Sequence, residues 1–371
     1  NEEKKENASL ALLGELDALR IPEHAYVNPE TDAAHCCGHH AQMAGIFGAA
    51  LALTVPEIAE KLGGQVVFFA TPAEEYGEIE FKNQLREQGK IRYGGGKCEL
   101  IRTGAFDDID LCLAHHIQPG DEIQVGSGTG NGFVSKVIRY LGKAAHAAGA
   151  PDKGVNALSA ASLGLQALGL NRETFRDEDC VRVHPIITKG GNLVNVIPDE
   201  IVIETLVRAK TIEAFTDAAK KTDRSFQAGA VAMGAKVEIT TLPGYLPTLA
   251  EQALPELKRA AELAAPEVPV REAAGHSGGS TDVGDVQHLM PVYTFNTGGV
   301  KGGLHQINFE VTNEEEAYID TAKMFALAAY GLLKEKAARS KELVKNYKPV
   351  FKDSAEYTKF MEQFDSKEVL D

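Results

Sequence analysis

Unbroken apolar runs and helical stripes alternate at both ends of the chain, a pattern typical of an α/β domain. Short apolar runs that predict strands buried on both faces occur at residues 9–14, 66–70, 110–114 and 292–295. An apolar stripe with helical spacing runs from Met43 to Leu51, between the first two runs. The charged run from Asn1 to Ala8 comes before the first strand and is predicted to be weakly ordered.

The middle of the chain has a different pattern, in which half-buried strands and long amphipathic helices follow one another. Strands are predicted at 133–141, 181–188, 201–207 and 236–241, and helices at 154–170 and 212–233. This βαββαβ order is the split βαβ, ferredoxin-like arrangement. We therefore predict an α/β domain in two parts, residues 1–128 and 243–371, with an inserted α+β domain at residues 129–242.

The last third of the chain returns to the α/β pattern. A helix is predicted from Leu249 to Ala265. Thr312 and Glu315 have the spacing of a capping box, which predicts the start of a long amphipathic helix that continues to Lys336. The charged tail from Ser340 to Asp371 also has a helical pattern.

The composition excludes several classes of partner. A net charge of −15 argues against binding to nucleic acid or to an anionic membrane surface. The chain has no apolar run of membrane-spanning length and no secretory signal at its start. Its five cysteines are irregularly placed and do not suggest a disulfide framework. We expect a cytoplasmic protein that acts on a small molecule.

Residue types that bind metals follow the predicted strands. These residues are Glu15 and Asp17, Glu74 and Glu75, and His115 and His116. Between the first two strands, the six residues His35 to His40 contain three more imidazoles and two thiols. The carboxyl ends of parallel strands meet at one edge of a sheet, where α/β proteins build their sites. Imidazole, thiolate and carboxylate are ligands for Zn²⁺, Mn²⁺, Co²⁺ and Ni²⁺, so the pattern favours a metal site. A cysteine hydrolase that uses Cys36 or Cys37 with a nearby histidine is the alternative.

Seven segments together resemble one family, the dinuclear-metal aminoacylase and carboxypeptidase G amidohydrolases, over essentially the whole chain. The segments are Gly14 to Leu19, Cys37 to His39, Pro72 to Glu75, His116 to Pro119, Gly142 to His146, Gly191 to Asp199 and Gly302 to His305. Within the family, the chain is similar to the branch of the auxin-conjugate hydrolases and aminobenzoyl-glutamate hydrolases. Residues 279–286 resemble the aminobenzoyl-glutamate hydrolase B-type and β-alanyl-dipeptidase-like members.

The resemblance implies a zinc-exopeptidase-like catalytic domain with a ferredoxin-like lid that mediates dimerisation. It also implies two adjacent divalent ions, Mn²⁺ or Zn²⁺ with Co²⁺ or Ni²⁺ as alternatives. Their implied ligands are Cys37 as the bridge, His39, Glu75, His116 and His305. Glu74 is implied as the general base, and Asp17 as the carboxylate that orients a ligand. In the lid, the implied substrate residues are His146, Asn195 and Arg208.

The expected reaction is hydrolysis of an amide bond by a metal-activated water, in a dipeptide or an aminobenzoyl-type N-acyl amino acid with a free carboxylate. In relatives, the histidine that matches His146 reaches the metal site of the other subunit. A four-stranded lid sheet leaves open edges, so we expect a homodimer in which strand 133–141 pairs with its symmetry mate. A non-catalytic subunit of an amidohydrolase pair is the alternative, although a subunit without catalysis would not need Glu74.

Some positions depart from the family pattern or flank the implied ligands. Arg20 stands where the family commonly has proline. Cys36 stands where the family usually has a small residue, and His40 where it usually has aspartate or asparagine. We expect His40 and His115 to support neighbouring ligands or lie at the surface. His276 is a weaker candidate for the substrate pocket.

Overall fold

The computed structural model describes residues 7–371, so most of the run predicted as weakly ordered lies outside the described residues. The α/β part is built on a six-stranded sheet. In spatial order its strands are Val270–Glu272, Ile123–Val125, Val292–Thr297, Leu111–Ile117, Ala8–Glu15 and Gly64–Thr71. Neighbouring strands are parallel except Ile123–Val125 and Val292–Thr297. All four strands predicted from unbroken apolar runs are in this sheet, which confirms the α/β class.

Strand Ala8–Glu15 is buried along its whole length. Its residues 8, 10 and 12 pack into a core that includes helices His39–Leu53 and Thr321–Asn346, while residues 11 and 13 belong to the core on the other face. Because both faces of this strand are covered by apolar groups, its sequence does not alternate between apolar and polar residues.

The helices of the α/β part have the bounds His39–Leu53, Pro56–Ala59, Ile79–Glu87, Gly96–Arg102, Pro255–Ala264, Val283–Gln287, Thr321–Asn346 and Ser354–Met361. Thr321–Asn346 is interrupted, because residues 334–337 do not have helical backbone angles. The helix predicted from Leu249 begins only at Pro255, because the chain before it is extended and Glu251 pairs with Ser127. Proline suits the first position of a helix, where no N–H is needed.

The predicted capping box is wrong. The Thr312 hydroxyl donates to the Gly299 carbonyl oxygen, and the Glu316 N–H donates to Asn313 instead. A π-helical turn, Glu315–Asp320, then leads into the long helix.

A second sheet contains the strands of the predicted inserted domain. Its main order is Ile186–Lys189, Glu200–Ala209, Gly132–Leu141, Lys236–Tyr245 and Ser366–Leu370, all antiparallel. The predicted strand 181–188 is two short strands, Arg182–Val183 and Ile186–Lys189, which flank His184 and Pro185. Helices Ala157–Asn171 and Ile212–Met233 pack together against this sheet.

The order of this sheet overturns two expectations. Strand Gly132–Leu141 has a partner on each side, so the expected edge-to-edge pairing through residues 133–141 is wrong. The C-terminal tail is not helical throughout, because Ser366–Leu370 adds a strand beside Lys236–Tyr245. Among the described residues, strand Ile186–Lys189 forms the other end of the sheet, and all of its residues are exposed.

Two further features of the described residues bear on the sequence-based expectations. All five cysteines are free, so none of them forms a disulfide. Within residues 7–371, no helix has the length and apolar character needed to cross a membrane.

Candidate metal centre and substrate cavity

A cavity of about 860 Å³ lies between the two sheets. The first sheet and its loops contribute Glu74, Glu75 and His305 to the lining, and the second sheet contributes Leu206 and Arg208. Except at the metal-ligand end, the lining is mainly glycine, serine, threonine and amide side chains. Candidate ligands and a candidate substrate-binding arginine therefore share one space.

The five expected metal ligands meet at one end of this cavity. Cys37 Sγ lies 3.4 Å from His116 Nε2 and 3.2 Å from His305 Nε2. The ligand atoms form two groups, Cys37 with His39 and His116, and Cys37 with Glu75 and His305, and within each group they lie within 4.8 Å of one another. Because Cys37 belongs to both groups, its position suits a bridge between two ions.

The polar atoms at the centre of this cluster fit a divalent cation. Asp17 holds the Nδ1 side of His39, through its main-chain oxygen at 3.0 Å and its carboxylate at 3.2 Å. The opposite nitrogen, Nε2, is buried without a hydrogen bond, as is Oε1 of Glu75. Buried polar atoms without partners cost free energy, and coordination to a cation would remove that cost. Thiol, imidazole and carboxylate are also the right donor types.

The charges around His39 favour a cation at the same place. Desolvation alone would lower its pKa, but the hydrogen bond to Asp17 and the negative charge of Glu15 raise the pKa of His39 to about 9. Glu15 Oε2 lies 3.1 Å from Nε2, and Glu75 and Glu74 carboxylate oxygens lie at 3.8 and 3.9 Å. The negative potential of these carboxylates favours a proton on His39 Nε2, and it would equally favour a metal ion there.

Local backbone geometry places these side chains. Gly38 has a φ of 89°, and a Cβ at this position would collide with Ile117, so glycine is required between Cys37 and His39. Ala73 and His305 are not glycines, yet they have φ values of 56° and 63°. Backbone strain of this kind concentrates at functional sites, and here it precedes Glu74 and presents an expected ligand.

Glu74 lies beside the cluster with its carboxylate about one-tenth exposed. Burial raises the pKa of Glu74 well above its usual range, and the nearby charges of Glu15 and Asp282 add to that effect. A carboxyl group with a raised pKa is suited to accept a proton from water and to donate it again.

Sequence reasoning missed Lys97, whose ammonium group is completely buried. Its Nζ lies 2.6 Å from a Glu15 oxygen and 2.6 Å from an Asp282 oxygen. The signal was the run Gly94 to Lys97, since Gly96 lies so close to the main chain of Pro72 that a Cβ would not fit. Glycine is the residue that permits such a close approach of the main chain.

The structure also places Arg208 on the cavity wall. Its guanidinium packs 5.8 Å above the Phe133 ring, and its Nε is buried without a hydrogen bond. Among the described residues, no acidic side chain forms an ion pair with Arg208. Glu204, on the same strand, accepts from the Glu80 N–H and does not pair with Arg208.

His146 and Asn195 do not line the cavity of their own chain. Both residues are exposed, and they lie together because the Ala147 N–H donates to the Asn195 carbonyl oxygen. The Nδ1 atom of His146 accepts from the Ala148 and Gly149 N–H groups. A single chain therefore does not bring these two residues to the metal ligands.

The remaining candidate histidines have separate surroundings. His115 is buried, contacts the Thr297 hydroxyl and also lines the cavity, but it belongs to neither ligand group. His40 packs edge-on against Phe309 and Tyr318. His276 does line the cavity, where its ring nitrogens contact Thr129 and Asn131.

Comparisons with known proteins identify the family of the chain. Residues 11–330 match the model of peptidase family M20/M25/M40. The Xaa-Arg dipeptidase of Mus musculus is 28% identical over 325 residues, 85% of this chain and 67% of that protein. One of the subunits of the p-aminobenzoyl-glutamate hydrolase of Escherichia coli is 30% identical over 208 residues, 54% of this chain and 39% of that protein.

A solved structure shares the fold. It is a dinuclear metal-binding peptidase of the M20 family from Bacillus subtilis, with a TM-score of 0.58 and 23% identity, covering 88% of this chain and 82% of that one. The family resemblance drawn from the sequence is thus confirmed. The chain belongs to peptidase family M20/M25/M40, and it is a metallo-amidohydrolase of that family.

Proposed function

We propose that the protein cleaves the amide bond of a dipeptide or an N-acyl amino acid, with two divalent ions held by Cys37, His39, Glu75, His116 and His305. The observation that carries this proposal is that two ligand groups share Cys37 beside the buried carboxylate of Glu74. When bound, the metal supplies Lewis-acid chemistry, which lowers the pKa of a coordinated water and polarises the scissile carbonyl.

Two carboxylates have the other roles in the reaction, proton transfer and positioning of the ligands. Glu74 takes the proton of the attacking water and passes it to the leaving amine, as its raised pKa suits. Asp17 holds His39 in one orientation and accepts the Glu75 N–H at 3.0 Å, so it positions two expected ligands at once.

Arg208 is proposed to bind the free carboxylate of the substrate. A guanidinium forms paired hydrogen bonds with a carboxylate, and Arg208 faces the cavity without an acidic partner among the described residues. The distance along the cavity between Arg208 and the metal ligands would determine which amide bond of the substrate lies beside Glu74.

We further propose that residues 129–242 form a lid and that the active enzyme is a homodimer. His146 and Asn195 then contribute to the partner's cavity, where His146 donates to the developing oxyanion and Asn195 binds the substrate amide. Their exposure away from their own cavity supports this arrangement. A role for His146 in its own loop alone is the alternative, because its Nδ1 already accepts from two main-chain N–H groups.

The chemistry of the thiols argues against a cysteine hydrolase. Cys36 has no exposed surface, so substrate cannot reach it. Burial raises the pKa of Cys37, and the charges of Glu75 and Glu74 raise it further, so its thiol is a poor nucleophile without a metal. Mn²⁺ or Zn²⁺ as the native ions and a cytoplasmic location remain predictions.

The deciding experiment combines elemental analysis with the variant Glu74→Gln. We expect the purified protein to bind about two divalent ions per chain. The variant should keep the ions and the fold but lose roughly 10²–10⁴-fold in kcat on N-acyl amino acids, because glutamine cannot accept the proton.

Glu78→Gln is a suitable control, because Glu78 lies on the same loop but does not line the cavity. Turnover by Glu74→Gln close to that of the parent would remove Glu74 from the mechanism. Activity that survives removal of all metal would contradict the metallohydrolase mechanism itself.

A further inference from the structure

Three cationic residues lie close together in and just after the strands of the second sheet, and one of them, Arg208, lines the cavity. Leu206 and Arg208 alternate along strand Glu200–Ala209 and both line the cavity. Arg182 lies directly opposite Arg208 on the neighbouring strand, so its side chain is on the same face. Lys210 lies two residues beyond Arg208. We call these residues, Arg182, Arg208 and Lys210, the cationic cluster.

The acidic side chains that the structure describes do not neutralise this cluster. Within residues 7–371, none of its three members forms an ion pair with Asp or Glu. Asp179 lies next to the cluster, because its main-chain oxygen accepts the Lys210 N–H, but its carboxylate is bound by Arg176 at 2.8 and 3.0 Å. Like charges directly opposite each other on adjacent strands repel and destabilise the fold. An anion bound between Arg182 and Arg208 would offset that repulsion.

The cavity wall next to the cluster is also without negative charge. Its described acidic residues are Glu15, Glu74 and Glu75, all at the metal-ligand end. Across from the cluster lies His276, whose pKa is lowered by burial and by the charges of Lys210 and Arg182. The two ends of the cavity therefore have opposite charge, in a protein with a net charge of −15.

We infer that the cationic cluster binds two carboxylates, so that the preferred substrates release an acidic amino acid such as glutamate or aspartate. Arg208 binds the α-carboxylate, as proposed above, and Arg182 and Lys210 bind the side-chain carboxylate. This inference rests on the proposed amide hydrolysis. It assigns a specificity that is set by two residues outside the metal centre.

The test compares N-acetyl-L-glutamate with N-acetyl-L-glutamine, which have the same shape but differ by one charge. We expect kcat/KM to be at least about tenfold higher for the glutamate compound, because a charge-assisted hydrogen bond is worth a factor of this size. Arg182→Gln and Lys210→Gln should each reduce that preference by roughly tenfold, while Arg208→Gln should raise KM for both compounds.

Arg176→Gln is the matched control, because it removes the same charge from the same segment but acts on a residue already paired with Asp179. It should leave the preference unchanged. Binding of both compounds to the Glu74→Gln variant, measured by calorimetry, gives a second readout that does not need turnover.

The outcomes separate the two proposals. Cleavage of both compounds at equal rates, with equal binding, would overturn the acidic specificity and leave the amidohydrolase function intact. If neither compound is cleaved but the glutamate compound binds selectively through Arg182 and Lys210, the cluster stands and the proposed reaction fails. A loss of preference in Arg176→Gln as large as in Arg182→Gln would show a general charge effect and overturn the assignment.

Discussion

Lys97 shows how a single residue can support a site that it does not touch. Lysine is among the residues least often fully buried, and this one lies between Glu15 and Asp282 with no exposed surface. Glu15 in turn accepts from the Gln42 side chain and faces His39. Lys97 thus fixes the carboxylate next to an expected ligand.

Removal of this charge should therefore be costly. We expect Lys97→Met to lower the free energy of unfolding by about 3–5 kcal/mol, because it leaves two buried carboxylates without their cation. Urea unfolding measures the change. Lys258→Met, which removes an exposed lysine paired with Glu272, should cost less than about 1 kcal/mol. A similar small cost for both variants would show that Lys97 is not needed to hold the carboxylates.

The residues of this site differ in how well the sequence predicts them. Glu74, Glu75, His115 and His116 stood out because each follows an apolar run that predicts a parallel strand, whereas the choice of Cys37, His39, Glu75, His116 and His305 as ligands came from the family resemblance. Lys97 was harder to predict, because the run of glycines from Gly94 to Gly96 signals a close approach of the main chain to Pro72 but does not show which side chain points inward. The strained φ values of Ala73 and His305 are equally invisible in the sequence.

At the scale of elements, the C-terminal segment departs most from its sequence pattern. Ser366–Leu370 has one exposed charge after another and a short apolar end, so nothing in it predicts a strand. Its partner, Lys236–Tyr245, is more than a hundred residues earlier and provides the hydrogen bonds. Asp365, just before the strand, pairs with both Arg86 and Arg92. Pairing over such distances is decided by tertiary structure, whereas the long helix Ile212–Met233 was predicted at both ends from its own periodicity.

Deletion of residues 366–371 should expose the edge of Lys236–Tyr245. We expect the melting temperature to fall by about 2–6 °C, and we expect self-association to increase, since an open strand edge pairs with other chains. Calorimetry and light scattering would measure these effects. Deletion of Asp371 alone is the control, and it removes one exposed ion pair with Lys236. An unchanged melting temperature and an unchanged mass after the longer deletion would show that the strand contributes nothing.

At the scale of the whole molecule, the sheet order changes where a second copy can bind. One end of the second sheet is covered by Ser366–Leu370, and strand Gly132–Leu141 is internal. The remaining end is Ile186–Lys189, where Ile186 is 61% exposed and Ile187 is 43% exposed. A homodimer formed through this sheet would therefore use Ile186–Lys189.

The shared-site arrangement can be tested by mixing two inactive variants, His146→Ala and Glu74→Gln. If subunits exchange, a hybrid dimer has one site with an intact Glu74 and an intact His146, so activity should return to up to about half of the parent value per hybrid. The expected interface predicts that Ile187→Lys weakens the dimer in a sedimentation experiment, whereas Val270→Lys, on the edge strand of the first sheet, does not. A mixture that stays inactive although exchange is demonstrated would rule out catalysis across the interface.

The position of strand Val292–Thr297 has a consequence for how the protein is made. This strand lies between Leu111–Ile117 and Ile123–Val125, which are synthesised roughly 175 residues earlier. At ribosomal rates of about 5–20 residues per second, the earlier strands wait roughly 10–35 s for the neighbour that completes their hydrogen bonds. During that time, the edge of Leu111–Ile117, a strand that is almost wholly buried in the folded protein, is open to the cell. The nascent chain is therefore expected to depend on chaperones more than its acidic, highly charged surface would suggest.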